Sequence, residues 1–128
     1  NTNLSNAVLE EARKHLGKPY VWGAKGPDTF DCSGFVQYVF GKVGINAPAP
    51  TYNQETLGRY VPKGQEEPGD LVFFEGTMGD VADGITHVGI YVGGNHMLHC
   101  GSPIGYADLT DSYWRKHFYA FGRVPYER

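Results

Sequence analysis

In TFDCSGFVQYVF, residues 29–40, a cysteine stands between an acid and a serine, and a glycine and an apolar run follow. A thiol is a weak nucleophile until its pKa falls. A helix N-terminus lowers it, because unsatisfied backbone N–H groups and the positive end of the dipole favour the thiolate. Cys32 lies where a helix should begin, since Val36, Val39, Phe40 and Val43 recur at i, i+3, i+4 and i+7. Such a thiol needs a base within reach and a third group to orient the base. Histidine suits the first role, and a second histidine or a carboxamide suits the other. Two competing readings of Cys32 are a disulfide with Cys100, the other cysteine of the chain, and a small buried residue without chemistry.

The histidines are His15, His87, His96, His99 and His117. His15 on an amphipathic helix and His117 among charged neighbours read as surface residues, and His96 as an exposed turn edge. His87 and His99 fall on the two strands of one expected hairpin, THVGIYVG and NHMLHCG. A two-residue turn at Gly94-Asn95 would pair 93 with 96 and 90 with 99, sending His99 away from His87. A three-residue loop, Gly93-Gly94-Asn95, pairs 92 with 96 and 89 with 99, and puts both histidines on one face. Three-residue loops favour glycine in the left-handed region, and this one has two, so the shared face is expected. Diagonal neighbours are then about 7–8 Å apart at Cα, within reach for two imidazoles. The bland alternative is a pair of solvated histidines on a polar sheet face. Alternation turns Cys100 to the face opposite His99, which predicts Cys100 buried away from Cys32 and weakens the disulfide reading. A zinc site from His87, His96, His99 and Cys100 matches none of the usual ligand spacings.

The elements that must position these residues are partly legible. SNAVLEEARKHLG reads as a helix capped by Ser5 or Asn6 and ended by Gly17, with Val8, Leu9, Ala12 and Leu16 as its apolar stripe. Lys18 to Asp31 is punctuated by Pro19, Gly23, Gly26 and Pro27 and reads as loop. The second helix runs from Cys32 to about Val43, with Gly44 as its end signal. INAPAPTYNQETLGRYV carries turn signals and one short helix near residues 52–57. PGDLVFFEG, the hairpin, and FYAFGRVPY read as strands, with Val88, Ile90 and Val92 on one face of THVGIYVG and His87, Gly89 and Tyr91 on the other. Asp70, opening a strand, reads as a turn or backbone hydrogen-bond acceptor. Helices first and strands later predict an α+β domain with an antiparallel sheet.

A chain of 128 residues is one domain with room for a single core. A formal net charge of -3 leaves no basic footprint for nucleic acid. No apolar run reaches the length of a membrane span, and the opening residues lack the apolar region of a signal peptide. The chain therefore reads as a single domain over 1–128, either cytoplasmic or trimmed from a longer secreted protein, and its abrupt start at a helix favours a parent protein.

FDCSGF, PGDLVFF and THVGIYVG followed by HC, in that order and with LGKPYVWG upstream, resemble the NlpC/P60 family of papain-like cysteine peptidases. The resemblance runs from about Ala7 to about Tyr126. It implies an α+β papain-like fold with N-terminal helices packed on a central antiparallel sheet. It implies Cys32 as nucleophile, His87 as base and His99 as the polar orienting residue. It also implies Tyr20 lining the site, with Asp31 and Ser33 as substrate contacts; the reading of Asp31 as a plain helix N-cap stands beside this and is compatible with it. The implied activity is hydrolysis of bacterial peptidoglycan, at the amide between γ-linked D-glutamate and the following diamino acid of the stem peptide, outside the cell or at its wall. No metal or cofactor is called for, nor is nucleic acid or membrane insertion. A papain-like amidase or acyltransferase and a cell-wall binding module are the alternatives. One departure stands out: the arginine that many members carry a few residues before a glutamine is replaced near Ala49 by apolar residues.

Overall fold

An antiparallel sheet of six strands forms the centre of the fold, in the order β1-β6-β2-β3-β4-β5. The strands are β1 (Arg59–Val61), β2 (Leu71–Glu75), β3 (Ile85–Gly93), β4 (His96–Cys100), β5 (Ile104–Asp108) and β6 (Phe118–Arg123). Helices α1 (Thr2–Arg13) and α2 (Cys32–Lys42) precede them, and a short α3 (Ser112–His117) joins β5 to β6. The computed structural model describes residues 2–21, 28–44, 59–75, 85–100 and 104–123. The short helix expected near 52–57 lies outside them, as do Trp22, Tyr52 and the segment around Ala49.

Sheet alternation divides the core in two. Leu71, Phe73, Val88, Ile90, Leu98, Cys100 and Ile104 face one way and meet Val8, Leu9 and Ala12 of α1 and Phe35, Val36, Val39 and Phe40 of α2. Val72, Phe74, Tyr91, Met97 and Phe121 form the second cluster, with Trp114 and Phe118 at its margin. Each fully buried Phe, Leu or Ile contributes roughly 1.5–3 kcal/mol, so the helix face of the sheet is well anchored.

Helix α2 follows its sequence signals closely. The Asp31 carboxylate accepts from the Gly34 N–H, its carbonyl accepts from Phe35 N at 2.9 Å, and Gly44 leaves the helix at φ 85°. Helix α1 departs from expectation. It begins at Thr2, ahead of Ser5 and Asn6, and ends at Arg13. Residues 14–17 then form a turn that closes on Gly17 at φ 87°. Helical spacing therefore lapses after Ala12. Leu16, expected in the stripe, is 42% exposed, and His15, expected at the surface, is 5% exposed. Rings of Phe30 and Tyr38 lie 5.1 and 5.2 Å from the His15 imidazole, and its two nitrogens meet Glu11 at 3.0 Å and Lys18 at 2.9 Å. A histidine with both nitrogens partnered costs little to bury.

Asp70 is buried and accepts from the Glu67 N–H at 2.8 Å, as its position predicts. It also accepts Nε and Nη2 of Arg123, both at 3.0 Å, a bidentate pair across 53 residues that ties the start of β2 to the end of β6.

The hairpin reaches the expected pairing by an unexpected route. Gly94 and Asn95 lie at φ 59° and 63°, the two left-handed positions of a type I′ turn. The turn thus has two residues, and Gly93 pairs with His96. Uncorrected, that register would set Ile90 against His99. A bulge intervenes: the pairing steps from Gly93↔His96 to Tyr91↔Met97, then Ile90↔Leu98 and Gly89↔His99. One extra residue in β3 flips the register by one and returns both histidines to one face.

Candidate active site

His87 and His99 are joined by a 2.8 Å hydrogen bond, His87 Nε2 to His99 Nδ1, with the ring planes 83° apart. The close approach depends on Gly89, which lies opposite His99. A Cβ there would come within 2.5 Å of the Met97 sulfur and 3.2 Å of the His99 Cβ. Burial, with His99 adding a smaller effect, pushes the His87 pKa well below its ordinary 6.5. Burial alone pushes His99 down to about 4. Both rings are therefore neutral at pH 7, and neutral imidazole is the form that accepts a proton. With Nε2 of His87 engaged by His99, its Nδ1 is the nitrogen available for other chemistry.

Trp114 covers this pair. Its indole stacks on the His87 ring at 5.4 Å and 24°, stands edge-on to His99 at 5.2 Å, and is backed by Phe74 at 4.8 Å. Nothing in the spacing around Trp114 distinguishes it from an ordinary core-edge aromatic. It sits in α3, a six-residue helix capped by Asp111 with no buried residue. Trp114 also lines a cavity of about 170 Å³ together with Lys63, Glu66, Asn95 and Arg115.

Cys32 is the first residue of α2 and is partly buried against the helix-side core. The histidines and α2 belong to opposite faces of the sheet, and Cys100, next to His99, lies in the cluster that α2 covers. Cys100 follows His99 directly, its Sγ donates to the Phe30 carbonyl at 3.1 Å, and Cys32 lies two residues beyond Phe30. Tyr20 joins the same corner through a single bridge to Phe30. Its phenol pKa is raised by burial first, then by Cys32, Asp31 and Cys100. Asp31 caps the helix. Ser33 falls in the first turn of α2, and its side chain is outside the described residues.

Cys100 is buried, as alternation predicts, but not away from Cys32. Helix α2 covers the face that Cys100 occupies. Burial, then Cys32 and Asp31, push its thiol up to about 12. The two cysteines form no disulfide. His96 is exposed, with Nδ1 on the Gly94 carbonyl at 2.8 Å, as expected of a turn edge. Among the described residues no group of three His, Cys, Asp or Glu is arranged to hold a metal, and no helix is long and apolar enough to cross a membrane.

Comparison with known proteins gives the family and the fold. The profile of the NlpC/P60 family matches residues 17–123. The probable endopeptidase p60 of Listeria monocytogenes is 45% identical over 118 residues, covering 91% of this chain and 23% of that protein. The bifunctional muramidase/DL-endopeptidase CwlT of Bacillus subtilis is 46% identical over 119 residues, covering 91% of this chain and 36% of that protein. Among solved structures, a lipoprotein-like NLP/P60 family protein from Staphylococcus aureus superposes with a TM-score of 0.92 at 37% identity, over 99% of this chain and 43% of that one. The chain thus spans about a quarter of the length of the p60 relative.

Proposed function

The chain belongs to the NlpC/P60 family, and from that premise we propose that it is a peptidoglycan hydrolase of the cell exterior, a cysteine endopeptidase that cuts the amide between γ-D-glutamate and the diamino acid of wall stem peptides. The observation that carries the reading is the His87–His99 hydrogen bond, in a chain whose helix α2 opens on Cys32. The name of the Bacillus relative, a DL-endopeptidase, supports the choice of bond.

Cys32 is the nucleophile. At the first position of α2 its sulfur feels the positive end of the helix, which favours thiolate. His87 Nδ1 takes the thiol proton. Its Nε2–H donates to Nδ1 of His99, which leaves His99 with its proton on Nε2; this is the tautomer pair the reaction needs. The thiolate attacks the γ-glutamyl carbonyl, and the Cys32 backbone N–H faces the developing oxyanion. As the C–N bond breaks, the proton on His87 passes to the leaving amine of the diamino acid. Water then enters, His87 takes its proton, and the acyl–sulfur bond is hydrolysed.

Around the nucleophile, Tyr20 lines the site. Asp31 and Ser33 flank Cys32 and contact the stem peptide, Asp31 also serving as the cap of α2.

Purified peptidoglycan or a synthetic stem peptide, incubated with wild type and with Cys32→Ala, tests the reading. The expected result is new γ-D-glutamyl and diamino acid termini by mass spectrometry with wild type only. Equal product from both proteins removes Cys32 as nucleophile. Release of a different group from an acyl substrate would point to an amidase or acyltransferase.

A further inference from the structure

We propose that Trp114 is a positioning residue for this site, holding the His87 ring plane by stacking and keeping water from the His87–His99 hydrogen bond. The inference rests on the reading of His87 as base.

The geometry around the indole carries it. One aromatic residue touches both histidines, face to face with His87 at 24° and edge-on to His99 at 80°. A ring held on its face and at Nε2 loses most of its freedom about χ2. Trp114 is itself fixed, by Phe74 at 4.8 Å and by Tyr113 at 4.9 Å, whose ring is 88° to it. Helix α3 has no buried residue; at its end His117 Nδ1 meets the Glu75 carbonyl at 2.8 Å, and its start is capped by Asp111, which accepts from Tyr113 N at 3.1 Å. The cap fixes the first turn, and the first turn presents Tyr113 and Trp114.

The cavity beside the pair gives the second half of the argument. Trp114 and Phe74 line it, and the histidines do not. A cavity of about 170 Å³ with lysine, arginine and glutamate at its walls holds water readily. The indole therefore stands at the boundary between that water and the hydrogen bond. A solvated imidazole pair exchanges partners with water, and the rotamer and tautomer needed by Cys32 become a fraction of the population.

The experiment compares wild type, Trp114→Phe, Trp114→Leu and Trp114→Ala as the full chain, with two readouts. The first is kcat and KM on a stem peptide. Misplacement of a reacting group by about 1 Å costs on the order of 10²-fold. Trp114→Ala is therefore expected to lose roughly 10- to 100-fold in kcat with KM within about twofold, and Trp114→Phe to recover much of it. The second is the imidazole N–H proton shared between the histidines, observed by NMR in a Cys32→Ala background. Its resonance is expected to be sharp and slow to exchange with Trp114 or Phe, and lost or rapidly exchanging with Ala. Trp114→Leu keeps apolar bulk without an aromatic face and serves where Ala does not fold; it should retain partial protection and a lowered kcat. A folded Ala or Leu variant with wild-type kcat and an unchanged resonance overturns the proposal. The resonance does not depend on turnover. If Cys32→Ala remains active, the peptidase reading fails, and the role of Trp114 in the pair is still decided.

Discussion

His87 and His99 are twelve residues apart in the chain and 2.8 Å apart in the fold, Nε2 to Nδ1. The contact exists because a type I′ turn and a bulge of one residue in β3 together set Gly89 opposite His99.

If His99 orients His87, its loss acts on the rate and not on binding. His99→Ala is expected to lower kcat by about 10²-fold, within the usual range for acid–base groups, with little change in KM. His99→Asn, which retains a carboxamide acceptor for the His87 N–H, should recover part of it. Steady-state kinetics on a defined muropeptide checks both, and equal rates for wild type and His99→Ala would remove His99 from the mechanism.

Gly89 is required by space. A methyl group there meets the buried Met97 sulfur at 2.5 Å. Gly89→Ala is therefore expected to cost about 1–3 kcal/mol as an overpacked core does, and to lower kcat by displacing His99. Met97→Val in the same chain should return much of the stability. Urea unfolding of the single and double variants measures the coupling.

The buried pair makes the fold less stable in acid. Both histidines have pKa values below their unfolded value of 6.5. Between pH 6.5 and about 4, the value for His99, the unfolded chain binds more protons than the folded one. The stabilisation is fully present above pH 6.5 and is lost as pH falls through the folded values. Each histidine contributes a slope of up to about 1.4 kcal/mol per pH unit. Unfolding free energies measured at pH 7, 6 and 5 should fall accordingly, and less steeply in His99→Asn.

The two cysteines should differ in reactivity. Cys100 is 1% exposed, with its thiol pushed up to about 12, whereas Cys32 is only partly buried at a helix start. A maleimide should label Cys32 in the native protein and Cys100 only after unfolding. Cys100→Ala should keep activity and lose about 1 kcal/mol, through the small cavity and the lost hydrogen bond to Phe30. Fast native labelling of Cys100 would contradict the placement.

Helix α2, strands β2, β3, β4 and β6, and the grouping of His87 with His99 were legible in the chain, because each rests on local spacing: a 3.6-residue stripe, a two-residue alternation, a glycine at a turn. The reading of the turn as three residues led to the right face only because a bulge supplied the same shift. Bulges depend on how two strands fit, and no single residue in the sequence announces one. β1 and β5 went unseen for a related reason. Three residues, or a strand such as Ile104–Asp108 with mixed exposure, carry too little periodicity, and only pairing with β6 and β4 makes them strands. His15 was misplaced because a helix end and three aromatic rings from elsewhere decide its burial.

By itself the sequence determined which residues can do chemistry and that Cys32 opens a helix, since intrinsic reactivity and local backbone preference are properties of neighbours in the chain. Tertiary structure decided the rest. It set Trp114 on the histidine pair, turned Cys100 into the core that α2 shares, and joined Asp70 to Arg123. Each of these contacts links segments whose encounter depends on the packing of the whole sheet.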